Sequence, residues 1–194
     1  VQVAILVDVS ASMDELQEPS SILSWALASA AVDLRNFAGR GVQVESTLIH
    51  WGNQARVTQR NGQPIPGIRE EPCVEGTTAM SAALDLVEEE MPGFFDPTPD
   101  GRPVNRLLVH FTDWELHCRD RALKTRQYHH RALAAGVNML SVVPNNWREY
   151  NRNVVLPSII QAAPEMRGLS TVLRYNPARP GQVWDTASLA MANA

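Results

Sequence analysis

The sequence predicts an α/β protein with a doubly wound, mostly parallel central sheet, one short antiparallel edge strand and helices on both faces. Three observations carry this. Short apolar runs rich in β-branched residues recur at Val1–Val7, Val42–Trp51, Arg106–Phe111 and Val137–Val143. They alternate with longer stretches whose apolar residues return at helical spacing. The first of these runs, Val1–Val7, is apolar at every position but Gln2 and is closed by polar residues, which fits a strand buried on both faces. Strand–helix alternation of this kind gives parallel neighbours, and ligands of such sheets bind beyond the carboxyl ends of the strands at a switch in strand order.

Taken in order, the first run stops abruptly at Asp8-Val9-Ser10-Ala11-Ser12. An acidic loop over Asp14–Pro19 follows, and Ser20 or Ser21 is the expected cap of a helix whose apolar face includes Ile22, Leu23, Trp25, Leu27, Leu34 and Phe37. Gly39 and Gly41 end it. Val42–Trp51 is a strand, Gly52-Asn53 a turn, and Ala55–Thr58 the short antiparallel return. Residues 59–76 read as loop. A helix from Thr78 to about Met91 buries Met80, Ala83, Leu84 and Val87, and its acidic Glu88-Glu89-Glu90 end opposes the helix dipole. Pro92–Pro103, rich in proline and glycine, reads as a surface loop. Arg106–Phe111 is a strand ending in Thr112-Asp113, Arg119–Ala135 a helix closed by Gly136, and Val137–Val143 a strand broken by Pro144. Asn145–Ala163 is expected to be partly helical, Leu169–Leu173 a last strand and Gly181–Ala194 a small-residue helix.

A chain of 194 residues suits a single domain over 1–194, alone or as part of a longer polypeptide or assembly. Its 44% hydrophobic and 20% charged residues are ordinary for a globular protein. A net charge of -4 argues against a general nucleic-acid backbone binder. The best apolar stretch, Ser24–Val32, is cut off by Asp33 and Arg35 well short of the roughly 20 residues that span a bilayer, so no membrane segment is expected. Cys73 and Cys118 belong to no CxxC pair, and two free thiols without a signal segment favour a cytoplasmic setting.

At the end of the first strand stand one carboxylate, Asp8, and two hydroxyls, Ser10 and Ser12. Hard oxygen donors without Cys or His suit Mg²⁺ or Mn²⁺ better than zinc. On these residues alone, capping of the next helix is an equally good reading. Asp8 stands at a strand end, where it is expected to lie outside the core. No GxGxxG or GxxxxGK[ST] phosphate loop follows a strand, and no GxSxG elbow is present.

Three separated pieces meet at one sheet edge: Asp8-x-Ser10-x-Ser12, Gly76-Thr77-Thr78-Ala79-Met80 and Thr112-Asp113. Together they resemble the von Willebrand factor type A (VWA) domain and its metal-ion-dependent adhesion site (MIDAS). Asp8, Ser10 and Ser12 match the DxSxS motif in full. Thr78 matches the threonine of a GGTxL-like turn, with Thr77 in place of the second glycine and as the weaker alternative ligand. Asp113 matches the aspartate after a hydrophobic strand, with Trp114 where glycine is common. The resemblance implies a metal set of Asp8, Ser10, Ser12, Thr78 and Asp113, with Mg²⁺ or Mn²⁺ as cofactor and the two aspartates acting partly through water. It implies no enzyme, but a module engaging a partner carboxylate at an open metal position. Trp114, Glu115 and Asp14 are the candidate partner contacts, and an AAA-type ATPase or another assembly subunit is among the partners the family suggests. The alternatives are an assembly subunit with a structural or degenerate site, or a phosphatase-like enzyme. Against the last, Ser10 stands where the DxDx[TV] phosphatases have their second aspartate.

Other residues admit ordinary explanations. His110, His117, Cys118, His129 and His130 match no common zinc spacing, and satisfied or exposed histidines are expected. Arg119, Arg121, Lys124, Arg126 and Arg131 make a basic helix face, expected to be solvated with pairs such as Asp120–Lys124 inside the helix. Trp51, Trp114 and Trp147 lie at or just past strand ends, where each is either core or rim, and core packing is the default.

Overall fold

The computed structural model describes residues 1–37, 41–61, 63, 80–98, 104–113, 119–144 and 170–175. Strand β1 (Gln2–Asp8) leads through a 3-10 helix (Ala11–Leu16) into α1 (Gln17–Phe37). Then come β2 (Glu45–Trp51), β3 (Ala55–Gln59), α2 (Met80–Glu90), β4 (Arg106–Phe111), α3 (Arg119–Ala134), β5 (Asn138–Pro144) and β6 (Ser170–Tyr175). The six strands lie in the order β3-β2-β1-β4-β5-β6. All neighbours are parallel except β3, which returns antiparallel to β2 at the edge. The direction of winding reverses between β1 and β4, so the switch point falls where Asp8 ends β1 and Asp113 follows β4.

Alternation along β1 explains why its run is apolar throughout. Val3, Ile5 and Val7 join Leu23, Ala28 and Ala31 of α1 in one core layer. Ala4 and Leu6 join Met80, Leu84 and Val87 of α2 and Tyr128 and Ala132 of α3 in the other. The centre of β1 is sealed from solvent on both sides. Truncating such a residue costs about 2–5 kcal/mol.

Three local expectations change. Helix α1 begins at Gln17 rather than at a Ser20 or Ser21 cap, and the expected acidic loop is divided between the end of the 3-10 helix and the start of α1. Pro19 is accommodated because the first helical turn has amide hydrogens without intrahelical partners in any case. The segment after α2 is not simply a surface loop: Phe94 and Phe95 are buried, packed edge to face at 5.1 Å, and Phe95 lies 5.0 Å from Tyr128. Proline and glycine content misses this because two aromatic side chains outweigh a polar surround. Finally, the basic face of α3 pairs with other elements. Lys124 reaches Asp85 at 2.6 Å, and Arg131 reaches Glu88 at 2.6 Å and Asp96 at 2.9 Å. Arg60 lies 3.1 Å from Glu90. These cations offset the acidic C-terminal end of α2. The side chain of Asp120, expected to pair with Lys124, the helical segments expected within 145–163 and 181–194, and Cys73, His117, Cys118 and Trp147 lie outside the described residues.

Candidate metal centre

The site is built where β1 and β4 run side by side and both stop. Asp8 is the last residue of β1, in register with Trp51 of β2, and the pairing continues one step further through Val9 N–H to Trp51 O at 2.8 Å. The chain then turns: Ser10 N–H donates to Asp8 Oδ1 at 2.9 Å, and Met13 N–H donates to the Ser10 carbonyl at 2.9 Å. That turn sets the Ser10 and Ser12 hydroxyls 3.1 Å apart. From the neighbouring strand end, Thr112 Oγ1 donates to Asp8 Oδ2 at 2.8 Å. Asp113 follows, buried, and its charge acts on Asp8.

Asp8 is fully buried, not outlying as a strand-end position suggests. The turn after β1 and the end of β4 close over it. Burial, and after it the charge of Asp113, push its carboxyl up from 3.8 to about 7, against the pull of the Ser10 and Thr112 donors. A buried carboxylate held by neutral donors beside a second carboxylate is a local excess of negative charge in low dielectric, which a divalent cation would relieve. The serine hydroxyls suit the same ion. Their 3.1 Å separation is near the edge of an oxygen octahedron, roughly 2.9 Å for bonds of about 2.0–2.1 Å. The residues therefore fit a hard divalent ion.

The fold can be placed among known ones. No protein-family model matches the sequence, and no curated protein matches it. Structural likeness is extensive. Proximal thread matrix protein 1 from the mussel byssus, in a structure with a zinc-occupied MIDAS motif, matches with a TM-score of 0.63 at 14% identity over 97% of this chain and 45% of that one. Manganese-loaded TRAP protein of Plasmodium vivax matches at 0.55 and 13% identity over 95% of this chain and 71% of that one. BatB from Bacteroides thetaiotaomicron matches at 0.52 and 15% identity over 100% of both chains. This chain has a VWA-like fold. It spans a little under half the length of the mussel protein, and at these identities the likeness is one of fold.

Within the VWA-like fold, the structure brings together Asp8, Ser10, Ser12 and Asp113 of the expected metal set. Thr78, its alternative Thr77, and the candidate partner contacts Trp114 and Glu115 lie outside the described residues, as does the side chain of Asp14. Trp51 is core rather than rim: it is fully buried with Met80, Ala83 and Leu84. Its indole N–H has no hydrogen-bond partner among the described residues. The residue that sequence reasoning passed over is Thr112. Its position next to Asp113 was visible, but its bond to Asp8 spans 104 residues and depends on β1 and β4 being neighbours.

Proposed function

We propose that this chain is a metal-dependent protein-interaction module that binds Mg²⁺ or Mn²⁺ through Asp8, Ser10, Ser12 and Asp113, completed by Thr78. The observation that carries the reading is the fully buried Asp8 carboxylate, held by neutral donors beside Asp113, with two serine hydroxyls at octahedral spacing next to it. A bound ion of this kind supplies a hard, electrophilic coordination position. A partner Asp or Glu is the ligand best suited to it. The metal-loaded neighbours with this fold support the same reading. Trp114, Glu115 and Asp14 are proposed as surrounding partner contacts, and binding rather than catalysis is the proposed role.

Titration calorimetry with Mn²⁺ and Mg²⁺ tests the metal site. Because Asp8 is buried and bonded, Asp8→Ala would leave the Ser10 and Thr112 donors unpaired at a cost of about 1–3 kcal/mol each. Asp8→Asn preserves the shape and is the cleaner variant. The unmodified chain is expected to bind and Asp8→Asn not to, with the same circular dichroism. Equal affinity in both would refute the assignment. With a captured partner, removing its carboxylate and adding EDTA should each cost about 2–5 kcal/mol without adding, since both delete one bond.

A further inference from the structure

We propose that Thr112 is a positioning residue of this site, whose hydroxyl sets the plane of the Asp8 carboxylate and, through it, the turn that carries Ser10 and Ser12. The inference rests on reading Asp8 as part of a metal site. A carboxylate torsion is broad and roughly two-fold when nothing restrains it. Here two donor residues grip Asp8 from two sides: Ser10, whose N–H holds Oδ1 at 2.9 Å and whose side chain also bonds the carboxylate, and Thr112, whose Oγ1 holds Oδ2 at 2.8 Å. The two donors come from different parts of the fold, one from the turn after β1 and the other from the end of β4. Only together do they fix the plane of the group. Thr112 is itself well held. It is fully buried, its β-branched side chain is stiff about χ1, and its N–H reaches the Val142 carbonyl of β5 at 3.4 Å. One residue thus ties three neighbouring strands, β1, β4 and β5, at the switch point.

The consequence runs through the Ser10 amide. With the Thr112 hydroxyl present, Asp8 Oδ1 is aimed at Ser10 N–H, and the turn that sets the serine hydroxyls 3.1 Å apart is pinned. Without it, the carboxylate is held from the Ser10 side alone and the grip on the turn loosens. Groups that orient a metal's ligands typically change metal affinity 10–100-fold when removed.

Thr112→Val keeps the shape and removes the hydroxyl; Thr112→Ser restores it. Two readouts are taken on the whole chain: Mn²⁺ affinity by calorimetry, and hydrogen exchange of the Ser10 amide by NMR in EDTA. Thr112→Val is expected to weaken Mn²⁺ binding by about 10–100-fold and to speed Ser10 exchange about tenfold relative to core amides of β1, with Thr112→Ser close to the unmodified chain in both. If Thr112→Val fails to fold, Thr112→Ala carries the same comparison. Unchanged Ser10 exchange in the hydroxyl-free variant overturns the proposal. So does a Thr112→Ser variant as impaired as Thr112→Val, which would mark a packing role. If the unmodified chain binds no Mn²⁺, the metal reading falls, and the exchange measurement still decides the role of Thr112.

Discussion

Two buried pairs of ionisable side chains share strand β4, and they are built in opposite ways. At the carboxyl edge, Asp8 of β1 sits beside Asp113, just past β4. Further down, His110 of β4 stacks on His129 of α3, with ring centroids 5.1 Å apart and Nε2 atoms 3.3 Å apart. The histidines suit each other at neutral pH. The His129 Nδ1–H can donate to the Thr125 carbonyl at 2.7 Å, which leaves its Nε2 free to accept from His110 Nε2–H. Burial, followed by the neighbouring His129, lowers the His110 pKa well below 6.5. Burial also lowers that of His129, against the Thr125 carbonyl and with a smaller push from His130. The pair is therefore neutral in the fold. Two imidazoles can share a proton and remain uncharged, whereas the same economy at the carboxylates requires an added proton or a cation. The core pair is thus neutral without help, whereas the edge pair, on the function proposed above, would be completed by a bound ion.

Their pH signatures run in opposite directions. Asp8 has a raised folded pKa, so its favourable contribution is full below 3.8 and lost as pH rises through about 7. The histidines have lowered folded values. Their contribution is full above the unfolded 6.5 and lost as pH falls below it.

The largest effect expected from breaking this contrast is at Asp8. In EDTA near about pH 8, ionising the buried carboxylate costs up to about 4 kcal/mol by linkage from the values above. Asp8→Asn removes that cost but turns an amide nitrogen toward one donor, at about 1–3 kcal/mol. The variant should therefore be more stable than the unmodified chain in denaturant titrations without metal, by about 1–3 kcal/mol, with the order reversed by excess Mn²⁺. A less stable variant in EDTA would mean that the carboxylate carries no excess charge to relieve.

A smaller effect is expected at the histidines. At about pH 5, each histidine held neutral costs at most about 2 kcal/mol relative to the unfolded chain. With the opposing change at Asp8 removed by Asp8→Asn, the chain should lose stability between about pH 7.5 and 5 in denaturant titrations, and adding His129→Phe should lessen that loss over the same interval. A slope unaffected by the substitution would place the acid sensitivity elsewhere. The smallest effect belongs to Trp51, next to Asp8 in the sheet. Trp51→Phe removes a buried N–H that has no partner among the described residues but leaves a small cavity in the core; the two terms oppose, so stability should change by less than about 1 kcal/mol and Mn²⁺ affinity not at all. A large loss of affinity would mean that the indole N–H belongs to the site.

The class of fold is legible along the chain. The apolar runs, the helical spacing between them and the two aspartates at strand ends are local signals, and Val3–Val7 reads as a doubly buried strand because every one of its residues meets a core layer. Asp8, Ser10 and Ser12 are legible there as a set, because three residues two apart in one turn are neighbours whatever the rest of the chain does. Tertiary structure alone decided which strands are adjacent. The Thr112–Asp8 bond and the His110–His129 stack therefore had no signal along the chain, one joining residues 104 apart and the other a strand to a helix. It likewise decided that Asp8 is buried, that Phe94 and Phe95 fold inward from a proline-rich segment, and that Arg131 answers the acidic end of α2. Periodicity reports which face of an element is apolar, but only packing shows what that face meets, and the energy of a buried charge or hydrogen bond depends on what it meets.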